Sequence, residues 1–122
     1  METAKRYTYG YKNDAARLHV GYKQSVITIP VYVCKQINDR WSVLGIDTDI
    51  VTLSVDDKII DIIPAKESSD ETYALCYNGT GSGRKVTLPM YLVEKYGFYD
   101  GYFRTEVLKN GTLRVKLTER LK

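Results

Sequence analysis

The sequence predicts a mainly β fold with short helices, assembled from two copies of one strand–helix–hairpin unit in a single chain. Three observations carry that prediction. A strand-like run ending in Thr–aliphatic–Pro occurs twice, as Ile27-Thr28-Ile29-Pro30 and Val86-Thr87-Leu88-Pro89, and both runs continue aliphatic-Tyr-aliphatic. Each proline is followed by a helix-periodic stretch that stops at a glycine, Gly45 or Gly97. Each glycine is followed by two strand-like runs able to pair as a hairpin. Self-similarity of this kind marks a fold built from repeated units.

Opening strands are expected at 17–29 and 71–77, the second resuming near 84–88. In the Thr–Pro strands, Ile27 and Ile29, or Val86 and Leu88, share one face, and Thr28 and Thr87 point to the other. Proline lacks an N–H and fixes φ at about −65°, so Pro30 and Pro89 end their strands and suit the first turn of a helix. After Pro89, Leu92, Val93 and Tyr96 form one apolar helical face with Glu94 and Lys95 turned away, and Gly97 stands at the C′ position. After Pro30, Val33, Ile37, Trp41 and Leu44 continue an i, i+4 stripe to Gly45. This first helical region is longer than the second, by two extra turns or by a loop.

The closing hairpins are equally direct. Val51, Leu53 and Val55 run into Asp56-Asp57-Lys58, and a second strand over 59–63 ends at Pro64. That strand is apolar on both faces except Asp61, so deep cover is expected for it. Strands over 102–108 and 112–118 flank Lys109-Asn110-Gly111, and Asn-Gly is a strong hairpin signal. Leu113, Val115 and Leu117 alternate with Thr112, Arg114, Lys116 and Thr118, which gives one dry face and one wet face. Residues 65–71 are polar and aperiodic, a surface linker able to reach roughly 25 Å. The chain therefore divides into a basic, aromatic arm or edge strand (1–16), a first unit (17–64), the linker (65–71) and a second unit (72–122). At 122 residues the two units suit one compact domain.

Composition narrows the function. No apolar run approaches the roughly 20 residues of a transmembrane helix, and the first twelve residues are too polar for a signal peptide, so a cytoplasmic chain without a membrane partner is expected. Cys34 and Cys76 stand far apart and His19 is the only histidine, so neither a metal nor another cofactor is expected. Both cysteines read as small buried hydrophobes, with a disulfide between them left open. The net charge of +3 is compatible with a polyanionic partner and decides nothing alone. Asp47/Asp49 and Asp56/Asp57 fall in turns, where Asp caps backbone N–H groups, and no nucleophile–base set includes His19; no catalytic residue is assigned and an enzyme is not expected.

The second unit carries Gly83-Arg84-Lys85-Val86-Thr87-Leu88-Pro89, then Tyr96-Gly97-Phe98-Tyr99-Asp100-Gly101, then Leu113-Arg114-Val115. The first carries Ile27-Thr28-Ile29-Pro30 and Leu44-Gly45-Ile46-Asp47-Thr48-Asp49. Across most of residues 17 to 118 this pattern resembles the AbrB/SpoVT (MazE-like) swapped-hairpin family. The resemblance implies a closed AbrB-like β-barrel of two interleaved hairpin units, usually supplied by two chains, here by two repeats of one chain as a pseudo-dimer. The solution state is then a monomeric pseudo-dimer, or a homodimer if the units exchange between chains. The resemblance also implies binding of double-stranded DNA by a transcription regulator or antitoxin. The alternative is a protein-interaction or assembly module that keeps the fold with a weakened DNA surface and binds a protein partner.

Family members place arginines before the Thr–Pro strand end and in the following helix. The second unit has Arg84 and Lys85 before its strand and Lys95 in its helix, whereas the first has Gln24 and Ser25 there, Lys23 just before, and Lys35 and Arg40 in the helix. The DNA-binding residues so implied are Arg84, Lys85, Lys95 and Arg104, with Arg17, Lys23 and Lys35 in support. Such a face is asymmetric and only modestly basic, and fewer phosphate contacts mean weaker, less salt-sensitive binding. The best single segment is Gly79 to Lys85, where glycines allow a close backbone approach to phosphate and two adjacent cations pair with it. It lacks the GxxxxGK[ST] spacing of a P-loop. The run Lys5-Arg6-Tyr7-Thr8-Tyr9-Gly10-Tyr11-Lys12 interleaves cations with aromatics and reads either as a stacking arm or as an edge strand guarded by charge. Tyr32 and Tyr91 occupy matching places in the two units and read as structural.

Overall fold

Alternating apolar and polar residues make strands throughout the chain, and the computed structural model describes residues 15–77 and 83–121. The order is β1 (Ala15–Val20), β2 (Ser25–Ile29), α1 (Val31–Leu44), β3 (Ile50–Val55), β4 (Ile59–Pro64), β5 (Thr72–Ala74), β6 (Cys76–Tyr77), β7 (Arg84–Leu88), α2 (Met90–Tyr96), β8 (Gly101–Val107) and β9 (Leu113–Leu121). The expected run over 17–29 is two strands, because Gly21 N–H donates to the Gln24 carbonyl and turns the chain between β1 and β2. The first strand also starts two residues earlier than expected, with Ala15 and Ala16 both buried.

Every pairing is antiparallel, in the order β5-β3-β4-β9-β8-β1-β2-β7-β6. The two ends of that order are consecutive in the chain, separated only by Leu75. One run of backbone therefore pairs with β3 through Thr72–Ala74 and with β7 through Cys76–Tyr77. The sheet curls into a nearly closed barrel of eight strands when β5 and β6 are counted together. Near-closure leaves few backbone edges unpaired.

The interior is filled by the inward face of each strand: Leu18, Ile27, Ile29, Val51, Ile60, Ile62, Leu75, Val86, Leu88, Phe103, Leu113 and Val115 are all buried. Thr28 and Thr87 point outward, as the alternation requires. The helices close the core. Val33, Cys34, Ile37 and Trp41 of α1 and Val93 of α2 are buried against it. The α1 stripe ends at Trp41, since Leu44 lies 43% exposed. The extra length of the first helical region is helix and not loop. Both helices stop at glycines in the left-handed region, Gly45 at φ 69° and Gly97 at φ 66°, as their C′ placement predicts. Pro30 and Pro89 stand one residue before the first helical turn, each accepting a backbone hydrogen bond from it.

Three polar contacts fix the ends of these elements. The indole Nε1 of Trp41 donates to the Gly111 carbonyl at 2.7 Å in a buried setting, tying α1 to the tip of the β8–β9 hairpin. The Lys109-Asn110-Gly111 loop closes by a Gly111 N–H to Leu108 carbonyl bond, with Gly111 at φ 91°. The Asp56 carboxylate accepts backbone N–H bonds from Lys58 at 2.7 Å and Ile59 at 2.8 Å, shaping the β3–β4 turn. Those donors hold the Asp56 carboxyl below its ordinary value of 3.8. Cys34 is buried as expected, but Cys76 is exposed because it lies on the outward face of β6, and both are free thiols. Among the described residues no helix is long and apolar enough to cross a membrane.

Two outcomes test these contacts. Trp41→Phe keeps the ring packing but strands the Gly111 carbonyl, and denaturant unfolding should show a loss of about 1–2 kcal/mol. Because the folded pKa of Asp56 lies below its unfolded value, its contribution is present above pH 3.8 and is lost as pH falls through the folded pKa. Melting temperatures of the wild type and Asp56→Ala should therefore differ at neutral pH, and the gap should narrow on acidification below 3.8.

Candidate nucleic-acid interface

The strand registers assemble one row of outward side chains across five strand segments. Tyr102 of β8 stands opposite Arg17 of β1, Arg17 opposite Thr28 of β2, Thr28 opposite Lys85 of β7, and Lys85 opposite Cys76 of β6. Neighbouring strands lie about 4.8 Å apart, so the backbones carrying Arg17 and Lys85 are about 10 Å apart with the Thr28 hydroxyl between them. Arg17 and Lys85 are exposed. Arg104, two residues along β8 from Tyr102, adds a third cation to the same wall, opposite Ala15.

No acidic residue occurs in β1, β2, β6 or β7. Among the described residues two acids border the wall: Glu106 of β8 bonds Lys116 at 3.2 Å, and Asp100, just before β8, lies 3.4 Å from His19 of β1. Asp100 also accepts the Val20 N–H at 2.5 Å, and its carbonyl accepts a bond from Arg120, whose guanidinium lies 4.9 Å from the Tyr99 ring centre. This cluster pins the end of β1 to the loop between α2 and β8. The opposite wall has a different character. There Arg114 of β9 makes a two-pronged pair with Asp61 of β4, both bonds at 2.9 Å, which raises the Arg114 pKa further. Lys116 bridges Glu106 and Glu119, and its pKa is likewise raised, chiefly by the bond to Glu106.

Strand alternation separates the two adjacent cations that look like a pair in the sequence. Lys85 faces out, whereas Arg84 pairs in register with the fully buried Ile29 and turns toward the α1 end of the barrel. There it lines a cavity of about 300 Å³ with Asn38, Trp41, Ser42, Asp47 and Thr48. It also lies near the Cys34 thiol, which burial pushes up while Arg84 opposes the shift. The remaining candidates divide between the two ends. Lys23, in the β1–β2 turn, and Lys95, whose Nζ is 5.3 Å from the Tyr96 ring centre, lie at the α2 end. Lys35 and Arg40 are exposed on α1. The structure thus gathers Arg17, Lys85 and Arg104 and does not gather the other four proposed contacts with them. The basic run 5–12 and the loop 79–82 lie outside the described residues.

Sequence reasoning passes over two contributors. Thr28 gives no charge signal, yet it lies between the two exposed cations. Gly83 reads in the sequence as part of a phosphate-approaching loop, but a Cβ there would come within 2.5 Å of the Ile29 carbonyl oxygen, so the glycine lets β7 begin directly against the end of β2. Tyr32 and Tyr91 are 50% and 67% exposed, so neither belongs to the core. A cavity of about 550 Å³ lies between α1 and residues Thr105, Glu106 and Val107 of β8, and another of about 450 Å³ lies at the C-terminal loop of α1.

Gly83→Ala should force backbone apart at the start of β7 and cost about 1–3 kcal/mol in thermal or denaturant unfolding. No family model matches this chain, and no significant match is found among the curated proteins or the solved structures.

Proposed function

We propose that this chain is a DNA-binding transcription regulator of the AbrB/SpoVT type, a single-chain pseudo-dimer that contacts duplex DNA through Arg17, Lys85 and Arg104. The observation that carries the functional part is the wall of β8, β1, β2 and β7, where cations cluster and β1, β2 and β7 hold no acid. Cations so placed neutralise backbone phosphates, and the Thr28 hydroxyl is positioned to donate to a phosphate oxygen between them. Contacts of this kind position a protein on a duplex without reading base edges.

The strand registers support the architectural part. Ala16 opposite Phe103 in β1–β8 corresponds to Tyr73 opposite Val51 in β5–β3. His19 opposite Val26 corresponds to Cys76 opposite Lys85, and Val55 opposite Ile60 corresponds to Val107 opposite Leu113. Under the same correspondence, β2–β7 and β4–β9 each join a strand to its own counterpart, with Ile27 opposite Val86 and Asp61 opposite Arg114. The first strand of each half pairs with the third strand of the other, which is the exchange a swapped hairpin makes.

A second reading, an assembly module with the same fold, is favoured by the apolar side chains left exposed on α1: Val31, Tyr32, Val43 and Leu44. Such a module binds a protein partner and leaves DNA free.

Retardation of a duplex across salt concentrations separates the two. Three phosphate contacts give a slope of log K against log salt of about −2.7, and Arg17→Ala or Lys85→Ala should each reduce its magnitude by about 1. Arg84→Ala, which alters the α1 end, should leave the slope unchanged. Failure of the wild type to retard any duplex at low salt removes the DNA-binding reading in favour of the assembly module.

A further inference from the structure

We infer that the Asp61–Arg114 pair decides which half-barrel can close against which, admitting the first half against the second and rejecting either half against a copy of itself. The inference rests on the pseudo-dimer reading and extends it to the choice of partner.

Under the register correspondence, Asp61 and Arg114 occupy the same place in their respective halves, and they face each other directly across β4–β9. A barrel closed from two first halves would set Asp61 against Asp61. One closed from two second halves would set Arg114 against Arg114. The pair now bonds at 2.9 Å through both prongs, and its arginine and aspartate side chains are only 34% and 13% exposed, so like charges there would be close and incompletely screened.

Elsewhere in these two pairings each cation faces a neutral residue, Lys85 opposite Thr28, Arg84 opposite Ile29 and Lys116 opposite Ile59, and self-pairing would bring no like charges together there. Ile27 opposite Val86 is buried and apolar, and so are Ile60 opposite Val115 and Ile62 opposite Leu113. Apolar side chains of similar size accept self-pairing as readily as cross-pairing. The choice therefore falls on the one position in these strands where self-pairing would set like charges face to face, much as a single polar residue fixes partner choice in a coiled coil. The row around it makes the rejection unequal. Asp61 has neutral Ser54 on its far side, whereas Arg114 has Glu106. Two first halves would leave their carboxylates uncompensated, and two second halves would be partly relieved by Glu106.

Charge reversal in the full-length chain tests this. Sedimentation of the wild type should give a single species at the chain mass of 14.0 kDa. A wild-type dimer defeats the pseudo-dimer reading itself, separately from the present inference. With a monomeric wild type, Asp61→Arg and Arg114→Asp should each lower the melting temperature by about 5 °C or more, Arg114→Asp the more because it leaves three acids in one row. The double reversal should recover most of the loss. The two single variants, unfolded and refolded together at about 0.5 mM, should form a one-to-one dimer of exchanged halves. In that dimer the introduced arginine of one chain meets the introduced aspartate of the other, and the two native residues, Asp61 and Arg114, meet across the second junction. The linker gives the intrachain partner a competing effective concentration in the mM range, so only a real charge preference drives the exchange. Single variants that fold poorly alone are still tested by this rescue. Unchanged melting of both singles, no recovery in the double reversal, or monomers only from the mixture would overturn the inference.

Discussion

A β-strand with an unpaired edge exposes a row of backbone N–H and C=O groups, and here either half of the chain alone would be left with such edges. Residues 15–64 on their own would leave β1, β2, β3 and β4 each with one open edge, since their outer partners are β8, β7, β5 and β9. Residues 72–121 would be left in the same condition. Closure depends on the run from Thr72 to Tyr77, which shifts at Leu75 from one neighbour to the other while keeping the Leu75 side chain buried. Without this interlocking the barrel interior would be open to water, and each half alone would be marginal. Chain continuity then supplies the second half at high local concentration.

Closure also determines the electrostatics. Because every register in the barrel is fixed, each outward charge has a set neighbour. On β4, β9 and β8 the neighbours are of opposite sign, and Arg114, Asp61, Lys116, Glu106 and Glu119 satisfy one another. β1, β2 and β7, by contrast, carry Arg17 and Lys85 and no acid. The core is apolar apart from such details as the buried Ser25 hydroxyl, which donates to the Met90 sulfur.

Much of this is legible in the sequence where a local rule governs. Gly45, Gly97, Pro30, Pro89 and the Asn110-Gly111 turn each act through their own backbone, so the helix ends and the last hairpin fall where expected. The Thr–Pro strands reveal their inward and outward faces through simple alternation. What depends on contacts distant in the chain is not legible. The break at Gly21–Gln24 is hidden because residues on either side keep a strand-like composition. Arg84 and Lys85 look like one cationic unit, and only the pairing of β7 with β2 shows that they leave on opposite faces. The row from Tyr102 to Cys76 draws on five strand segments scattered from Arg17 to Tyr102, and no window of sequence contains it. Cys76 departs from expectation for the same reason: cysteine usually packs inside, but its register puts it on the wall beside Lys85.

The interdependence of the two halves can be measured by native-state hydrogen exchange. Amides in the paired strands β2, β7, β4 and β9 should share one opening free energy, equal to that of global unfolding, because loss of either half exposes the edges of the other. Two separate opening free energies, one for residues 15–64 and another for 72–121, would show that the halves are independent.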